Sequence, residues 1–189
     1  MIYRRFFKRV LDALVAAFSL LLLSPLMLLT ALAIRLEDGG PALFRQMRVG
    51  RDGHPFSIFK FRSMAVNAGN LPSAQAGGLP ITRVGRLIRR TNIDELPQLL
   101  NILKGDMSLV GPRPALPSQE HLTELRRANG ALACRPGLTG LAQVESYDGM
   151  PEEEKAKHDG AYSARVAFLR DLWLVLRTFA YLAHRPPTY

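Results

Sequence analysis

The chain has 189 residues, enough for one domain with a core of useful size, and 25 Lys and Arg against 16 Asp and Glu give a net charge of +9. That surplus points to an anionic partner: nucleic acid, acidic lipid, or a nucleotide or phosphate substrate. The one cysteine, Cys134, excludes an internal disulfide and a Cys-based metal cluster, and histidines at 54, 121, 158 and 184 show no HExxH spacing, which argues against zinc chemistry.

Residues Ala13 to Ile34, "ALVAAFSLLLLSPLMLLTALAI", run for 22 residues without a charge. A straight helix of that length covers roughly 33 Å, enough for a hydrocarbon core of about 30 Å. A cleaved signal peptide would have a shorter apolar region and a more secretory remainder. A single spanning helix is the default for the length. A re-entrant segment is the third reading, and it rests on Ser24-Pro25 near the middle. Proline frees the carbonyl of Leu21, and Ser24 can bond a freed backbone group. Arg4, Arg5, Lys8 and Arg9 precede the segment, and Arg35, Arg45, Arg48 and Arg51 follow it. A positive-inside bias on both flanks asks for both ends on one side of the membrane.

Residues 42–64 predict two short strands around a turn at Asp52-Gly53, with Phe59 and Phe61 on one face and Ile58, Lys60 and Arg62 on the other. Residues 65–81 read as a small-residue loop. "TRVGRLIRRTN" predicts a short basic helix with Val84, Leu87 and Ile88 as its apolar side. In "TNIDELPQLLNILKGDMSLVGPRP" (91–114), Leu96, Leu99, Leu100 and Leu103 fall on one helical face and Gly105 is a natural stop. Thr91, Asn92 and Asp94 are all plausible N-caps, and Asp94 and Glu95 in a first turn offset the positive end of the helix dipole. A catalytic pair is the alternative. Arg113 lies between two prolines, which restricts its backbone. Pro136-Gly137 predicts a type II turn, and Gly137, Thr139 and Gly140 beside Arg135 could form an anion nest. Residues 152–184 are mainly helical, and Trp173, Phe179 and Tyr181 among arginines suit either a membrane surface or a buried helix. No internal repeat or second soluble domain is visible.

Taken together, the basic start, the apolar segment with Ser24-Pro25, "FKFRSM" at 59–64, "DELPQLLNILKGDMSLVGPRP" at 94–114, "RPGLTGLAQV" at 135–144, and Asp159 and Asp171 resemble the small monotopic bacterial polyprenol-phosphate phosphoglycosyl transferases. The resemblance covers nearly the whole chain. It implies an α/β, mainly helical fold: a re-entrant helix-break-helix membrane hairpin over 1–38, broken at Ser24 and Pro25. A cytosolic catalytic domain would follow over 39–189, with a short β-hairpin and interfacial amphipathic helices. It also implies transfer of a sugar 1-phosphate from a UDP-sugar to undecaprenyl phosphate with release of UMP, at the cytoplasmic face of the bacterial inner membrane.

On that resemblance Asp94 is the nucleophile of a covalent phosphosugar ester, Glu95 its partner, and both are ligands of a Mg2+ cofactor. Lys60, Arg62, Arg113, Arg135, Gly137 and Thr139 become candidates for binding substrate phosphate. The phospholipid membrane is an expected partner, nucleic acid is not, and a homodimer is left open. The chemistry is coherent: cations and Mg2+ offset the charge of a diphosphate, and a carboxylate can attack phosphorus to split one transfer into two.

Two departures stand out. Residues 145–148 are Glu-Ser-Tyr-Asp where many relatives have Asn-Gly-Arg, so the sugar does not carry over, and Leu141 replaces a frequent tryptophan. The chain also reads as a minimal catalytic unit without a multi-spanning N-terminal domain. A membrane-tethered nucleic-acid-binding protein would use the same charge, but no RNA- or DNA-binding motif supports it. A noncatalytic membrane scaffold would use the same apolar segment without needing the Asp-Glu pair beside two Arg-Pro loops.

Overall fold

The computed structural model describes residues 3–66, 81–145 and 150–183. Most of the 65–81 loop and the divergent stretch after Glu145 lie outside them. A π-helical turn, Tyr3–Phe7, leads into helix α1, Lys8–Asp38. The break expected at Ser24-Pro25 is not a break in secondary structure, because α1 continues through Pro25 as one helix. Ser24 Oγ donates to the Leu21 carbonyl at 2.8 Å, the acceptor that Pro25 cannot reach for want of an N–H.

Helix α1 buries only Asp12, Ala16, Thr30 and Ile34, two i,i+4 pairs near its ends. Ala16 packs with Ile58, Leu99, Ile102 and Met107, while Ile34 packs with Phe61 and Ile88. Both ends therefore lean on the same folded unit. Between them Leu21, Leu22, Leu28 and Leu29 are exposed, Leu21 by 76%. Among the described residues α1 is the helix long and apolar enough to cross a membrane.

Strands β1 (Leu43–Val49) and β2 (Pro55–Phe61) form the expected antiparallel hairpin, with Asp52 at φ 56° in its turn. The register sets Phe44, Gln46 and Arg48 opposite Lys60, Ile58 and Phe56, so these six share a face. Helix α2 (Arg83–Arg90) is capped by Thr82, whose side chain accepts from the Gly85 N–H. Its inward residues are Gly85 and Ile88, and Leu87 is 61% exposed rather than on the apolar side.

Helix α3 (Gln98–Lys104) starts later than its leucines suggest, after a 3-10 turn at Ile93–Glu95. Its buried face is Gln98, Leu99, Asn101 and Ile102, while Leu100 and Leu103 are 39% and 37% exposed. Asn101 explains the difference. Its Oδ1 accepts from the Phe59 N–H at 2.9 Å and its Nδ2 donates to the Ser57 carbonyl at 2.8 Å. A fully buried amide thus completes the open edge of β2 and sets the rotation of α3.

Strand β3 (Ser108–Val110) pairs in parallel with β4 (Gly137–Thr139). Helices α4 (Glu120–Ala128), α5 (Leu141–Val144), α6 (Glu152–Ala164) and α7 (Phe168–Ala183) complete a mainly helical unit with two small sheets. Asp171, at the start of α7, accepts from Lys8 Nζ (2.6 Å), Tyr3 (2.7 Å) and Tyr162 (2.8 Å). Asp12 accepts from Ser108 Oγ at 2.7 Å. These buried polar contacts tie the root of α1 to β3, α6 and α7. On α7, Asp171 and Leu174 face inward, while Phe168, Leu169, Trp173, Leu176 and Phe179 are exposed.

The turn predicted at Pro136-Gly137 is instead the start of β4. Gly137 is absent from the positive-φ glycines among the described residues, and its N–H donates to the Pro112 carbonyl at 2.8 Å. Glycine is required there by contact, since a Cβ would lie 2.1 Å from the Gly111 nitrogen and 2.3 Å from the Thr139 carbonyl oxygen. Gly137→Ala should therefore cost more than about 3 kcal/mol in chemical denaturation, because backbone and not a pliable side chain blocks the methyl. Gly130→Ala, which meets nothing within 4 Å but sits at φ +79°, should cost only about 1 kcal/mol.

Candidate active site

Asn92, at φ 54°, turns the chain out of α2 into the 3-10 turn that carries Asp94 and Glu95. The capping explanation loses its geometric basis here. Neither Asn92 nor Pro97, the N-cap of α3, makes a side-chain cap hydrogen bond, and the acids precede α3 instead of forming its first turn.

Glu95 Oε1 accepts from Lys60 Nζ at 2.6 Å and from Arg113 Nη2 at 2.9 Å, with the carboxylate 16% exposed. Burial raises its pKa, but Arg113 and Lys60 outweigh burial and hold the group well below the usual carboxylate range. Asp94 is set apart. Burial pushes its carboxyl up to about 6; Lys60, Arg89 and Arg113 pull it down, and the adjacent Glu95 charge pushes it up. Two neighbouring carboxylates thus have opposite electrostatic settings, one clamped between cations and one held in their field.

Arg113 is supported from behind. The prolines on either side contribute no N–H groups, and all three carbonyls of Pro112-Arg113-Pro114 are tied to other elements. Gly137 N–H donates to Pro112, Arg126 Nη1 to Arg113 at 2.9 Å, and Arg48 Nη1 to Pro114 at 3.1 Å. Arg126 is itself held by Asp159 at 2.6 Å. A backbone fixed at three successive carbonyls presents the Arg113 guanidinium with little freedom left to lose.

Of the residues singled out from the sequence, the fold gathers Lys60, Asp94, Glu95 and Arg113. Arg62 lies elsewhere in function: its guanidinium is held by Asp38 at 2.5 Å and by the carbonyls of Pro41 and Met64, strapping the end of α1 to the end of β2. Thr139 Oγ1 pairs with Thr178 Oγ1 at 2.6 Å, and the Gly137 N–H is engaged, so the expected nest has no such donor at Gly137. Arg135 donates through Nε to the Gly105 carbonyl, and its charged neighbours are Arg51, Arg9 and Asp12 rather than the Asp-Glu pair. Arg89 and Arg48 were not singled out as site residues. Arg89 looked like one of several solvated charges on a basic helix, and Arg48 like one of the charges flanking the apolar segment. Only the close approach of α2, β1 and the 112–114 loop brings them near the acids.

Among the described residues no group of three or more His, Cys, Asp or Glu could hold a metal by protein ligands alone. Asp94 and the second oxygen of Glu95 do suit Mg2+, which commonly takes one or two carboxylates and completes its shell with water and substrate phosphate.

A family model described as bacterial sugar transferase matches residues 3–185, and the chain belongs to that family. It is 48% identical over 180 residues to the UDP-glucose:undecaprenyl-phosphate glucose-1-phosphate transferase of Caulobacter vibrioides, covering 90% of this chain and 67% of the relative. It is 42% identical to the UDP-N-acetylgalactosamine-undecaprenyl-phosphate N-acetylgalactosaminephosphotransferase of Aeromonas hydrophila, covering 92% of this chain and 43% of that relative. An uncharacterized sugar transferase, EpsL of Bacillus subtilis, is 39% identical, with 90% of this chain and 84% of the relative covered. The chain thus spans less than half of the Aeromonas relative.

The two carboxylates should oppose each other in stability. Below about pH 4 Asp94 is protonated in folded and unfolded chains alike and imposes no penalty. As pH rises toward 6 the unfolded chain ionises first, so stability falls; above that the penalty is on the order of 1–3 kcal/mol. In metal-free protein, Asp94→Asn should therefore unfold at higher denaturant than wild type at pH 7.5, with the gain gone at pH 3.5. Glu95→Gln should destabilise at pH 7.5 by about 2 kcal/mol or more, because Lys60 and Arg113 lose their counter-charge.

Proposed function

We propose that the chain transfers a sugar 1-phosphate from a UDP-sugar to undecaprenyl phosphate, giving undecaprenyl-diphosphate-sugar and UMP through a phosphosugar ester on Asp94. The observation that carries this reading is the division of labour in the Asp-Glu pair. Glu95 is bonded to two cations, whereas no hydrogen bond from a described side chain engages Asp94, whose carboxylate stays available beside Lys60, Arg89 and Arg113. The names of the relatives supply the reaction class.

In the first half-reaction an Asp94 oxygen attacks the phosphorus that bears the sugar. The Asp94 O–P bond forms, the bond to the bridging oxygen breaks, and UMP leaves with that electron pair. In the second, a phosphate oxygen of undecaprenyl phosphate attacks the same phosphorus and Asp94 leaves as carboxylate. No net proton transfer is needed. Arg113 and Lys60 stabilise charge on the phosphoryl oxygens, and Glu95 holds both cations in position. Asp94 and Glu95 would hold Mg2+, which when bound would offset part of the charge of the diphosphate.

The setting is a membrane surface. We propose that α1, while helical throughout, bends at Pro25 so that it enters the bilayer and returns to the side it came from, with the catalytic unit on the cytoplasmic face of the bacterial inner membrane. This is supported by the packing of both α1 ends on one domain, by the exposed leucines between them, and by basic residues on both flanks. The exposed apolar face of α7 extends the lipid-facing surface. The polyprenol tail would lie in lipid while its phosphate reaches the site at headgroup depth.

Incubation with a panel of radiolabelled UDP-sugars, without polyprenol phosphate, should label wild-type protein and release UMP in equal amount. Asp94→Asn should fold and acquire no label. If UMP appears only when both substrates are present and the protein never labels, direct attack by the lipid phosphate is correct. Topology is checked separately in a Cys134→Ser background, with single cysteines placed at residues 2 and 189. In intact cells both should resist a membrane-impermeant thiol reagent and both should react after permeabilisation, whereas opposite accessibility would establish a spanning helix. Pro25→Leu should shift the chain toward that spanning state.

A further inference from the structure

Arg48 is a partly buried cation in an unusual position. It shares a hairpin face with Lys60, one pair removed across Gln46 and Ile58. Its Nη2 donates to Gln46 Oε1 at 2.6 Å and its Nη1 to the Pro114 carbonyl at 3.1 Å, both neutral acceptors. Its Nε is shielded from solvent and has no hydrogen-bond partner among the described residues. No ion pair to Arg48 occurs among them either. Burial lowers the guanidinium pKa to about 10; the neighbouring Arg113 charge lowers it too, and Glu95 raises it.

A partly buried charge hydrogen-bonded only to neutral groups, with one nitrogen left without a hydrogen-bond partner among the described residues, is costly to keep. Arg126 shows the contrast. It grips the next carbonyl of the same loop, that of Arg113, and is matched by Asp159 at 2.6 Å. Among the described residues, Lys60, Arg89, Arg113 and Arg48 are the cations whose charge acts on the Asp-Glu pair, a positive field that suits a diphosphate.

We propose that Arg48 is a positioning residue for the phosphate-binding end of the site: it fixes Arg113 through the Pro114 carbonyl and lends its own charge to a diphosphate bound there. This rests on the phosphate-transfer reading above. Arg48 acts from behind, through the 112–114 backbone and through its field, and the anion in turn relieves the repulsion between Arg48 and Arg113.

The test uses the full-length protein in detergent, with UDP as the probe, and measures UDP affinity by calorimetry and melting temperature in parallel. Arg48→Gln removes the charge while keeping an amide that can bond Gln46, and should weaken UDP by about tenfold or more while the melting temperature stays at or above that of wild type. Arg48→Lys, which keeps the charge without the two-oxygen grip, should fall between them. In an Arg113→Met background, Arg48→Gln should cost less than about threefold further, because its effect runs largely through Arg113.

Affinity within about twofold of wild type in Arg48→Gln, equal losses in both backgrounds, or a melting temperature that falls together with affinity would each overturn the proposal. Absence of UDP binding by wild type would instead overturn the phosphate-transfer reading itself, and this inference with it.

Discussion

Glu95 receives cations from two directions: Lys60 from the end of the β-hairpin and Arg113 from the loop after β3. Three segments separated in sequence by 35 and 18 positions meet at one carboxylate oxygen. Without that carboxylate the two cations would repel across a half-buried space, and the hairpin, the turn before α3 and the 112–114 loop would lose their common point. The Lys60 pair is little screened by solvent, with side chains 19% and 16% exposed, whereas Arg113 is 51% exposed and holds the same oxygen from the solvent side. The Asp94 carboxylate follows from this arrangement. It lies beside a fully ionised neighbour, inside the positive field that neighbour organises.

Much of the remaining fold holds those three segments at fixed distances. Asn101 supplies the amide that a further strand would otherwise supply to β2, so α3 and the turn preceding it are locked to the strand bearing Lys60. The 112–114 loop is held by its carbonyls because its prolines have no N–H to offer. The parallel pair β3–β4 provides one of those anchors and requires a glycine at 137 for backbone contact. Buried polar groups at the root of α1, with Asp171 and Asp12 at their centre, connect this rigid core to the apolar helix. The placement of α1 and the position of the carboxylate pair are thereby mechanically linked.

The apolar helix illustrates how local preference and tertiary context divide. Proline at 25 removes one backbone bond, and the residue before it repairs part of the loss by bonding the Leu21 carbonyl. A continuous helix results where the local pattern suggested an interruption. The decisive property lies at the two ends, where Asp12, Ala16, Thr30 and Ile34 are buried against the domain. Between them Leu21, Leu22, Leu28 and Leu29 are left exposed.

From residue order alone, the length and composition of the N-terminal segment and the hairpin with its Asp52-Gly53 turn were legible, because each depends on a local run; the Asp-Glu pair and Arg113 were singled out by the resemblance, and the fold brings them to one place. The face of α3 was not, since leucine spacing carries no information about an asparagine that must reach a strand edge more than forty residues away. Nor were the roles of Arg62, Gly137 and Thr139, whose partners Asp38, Gly111 and Thr178 are remote in the chain. Arginines look alike in a basic sequence. Which of them faces a carboxylate, a carbonyl or another arginine is decided only when strands and loops close over them, because charge interactions depend on distance and burial and not on order along the chain.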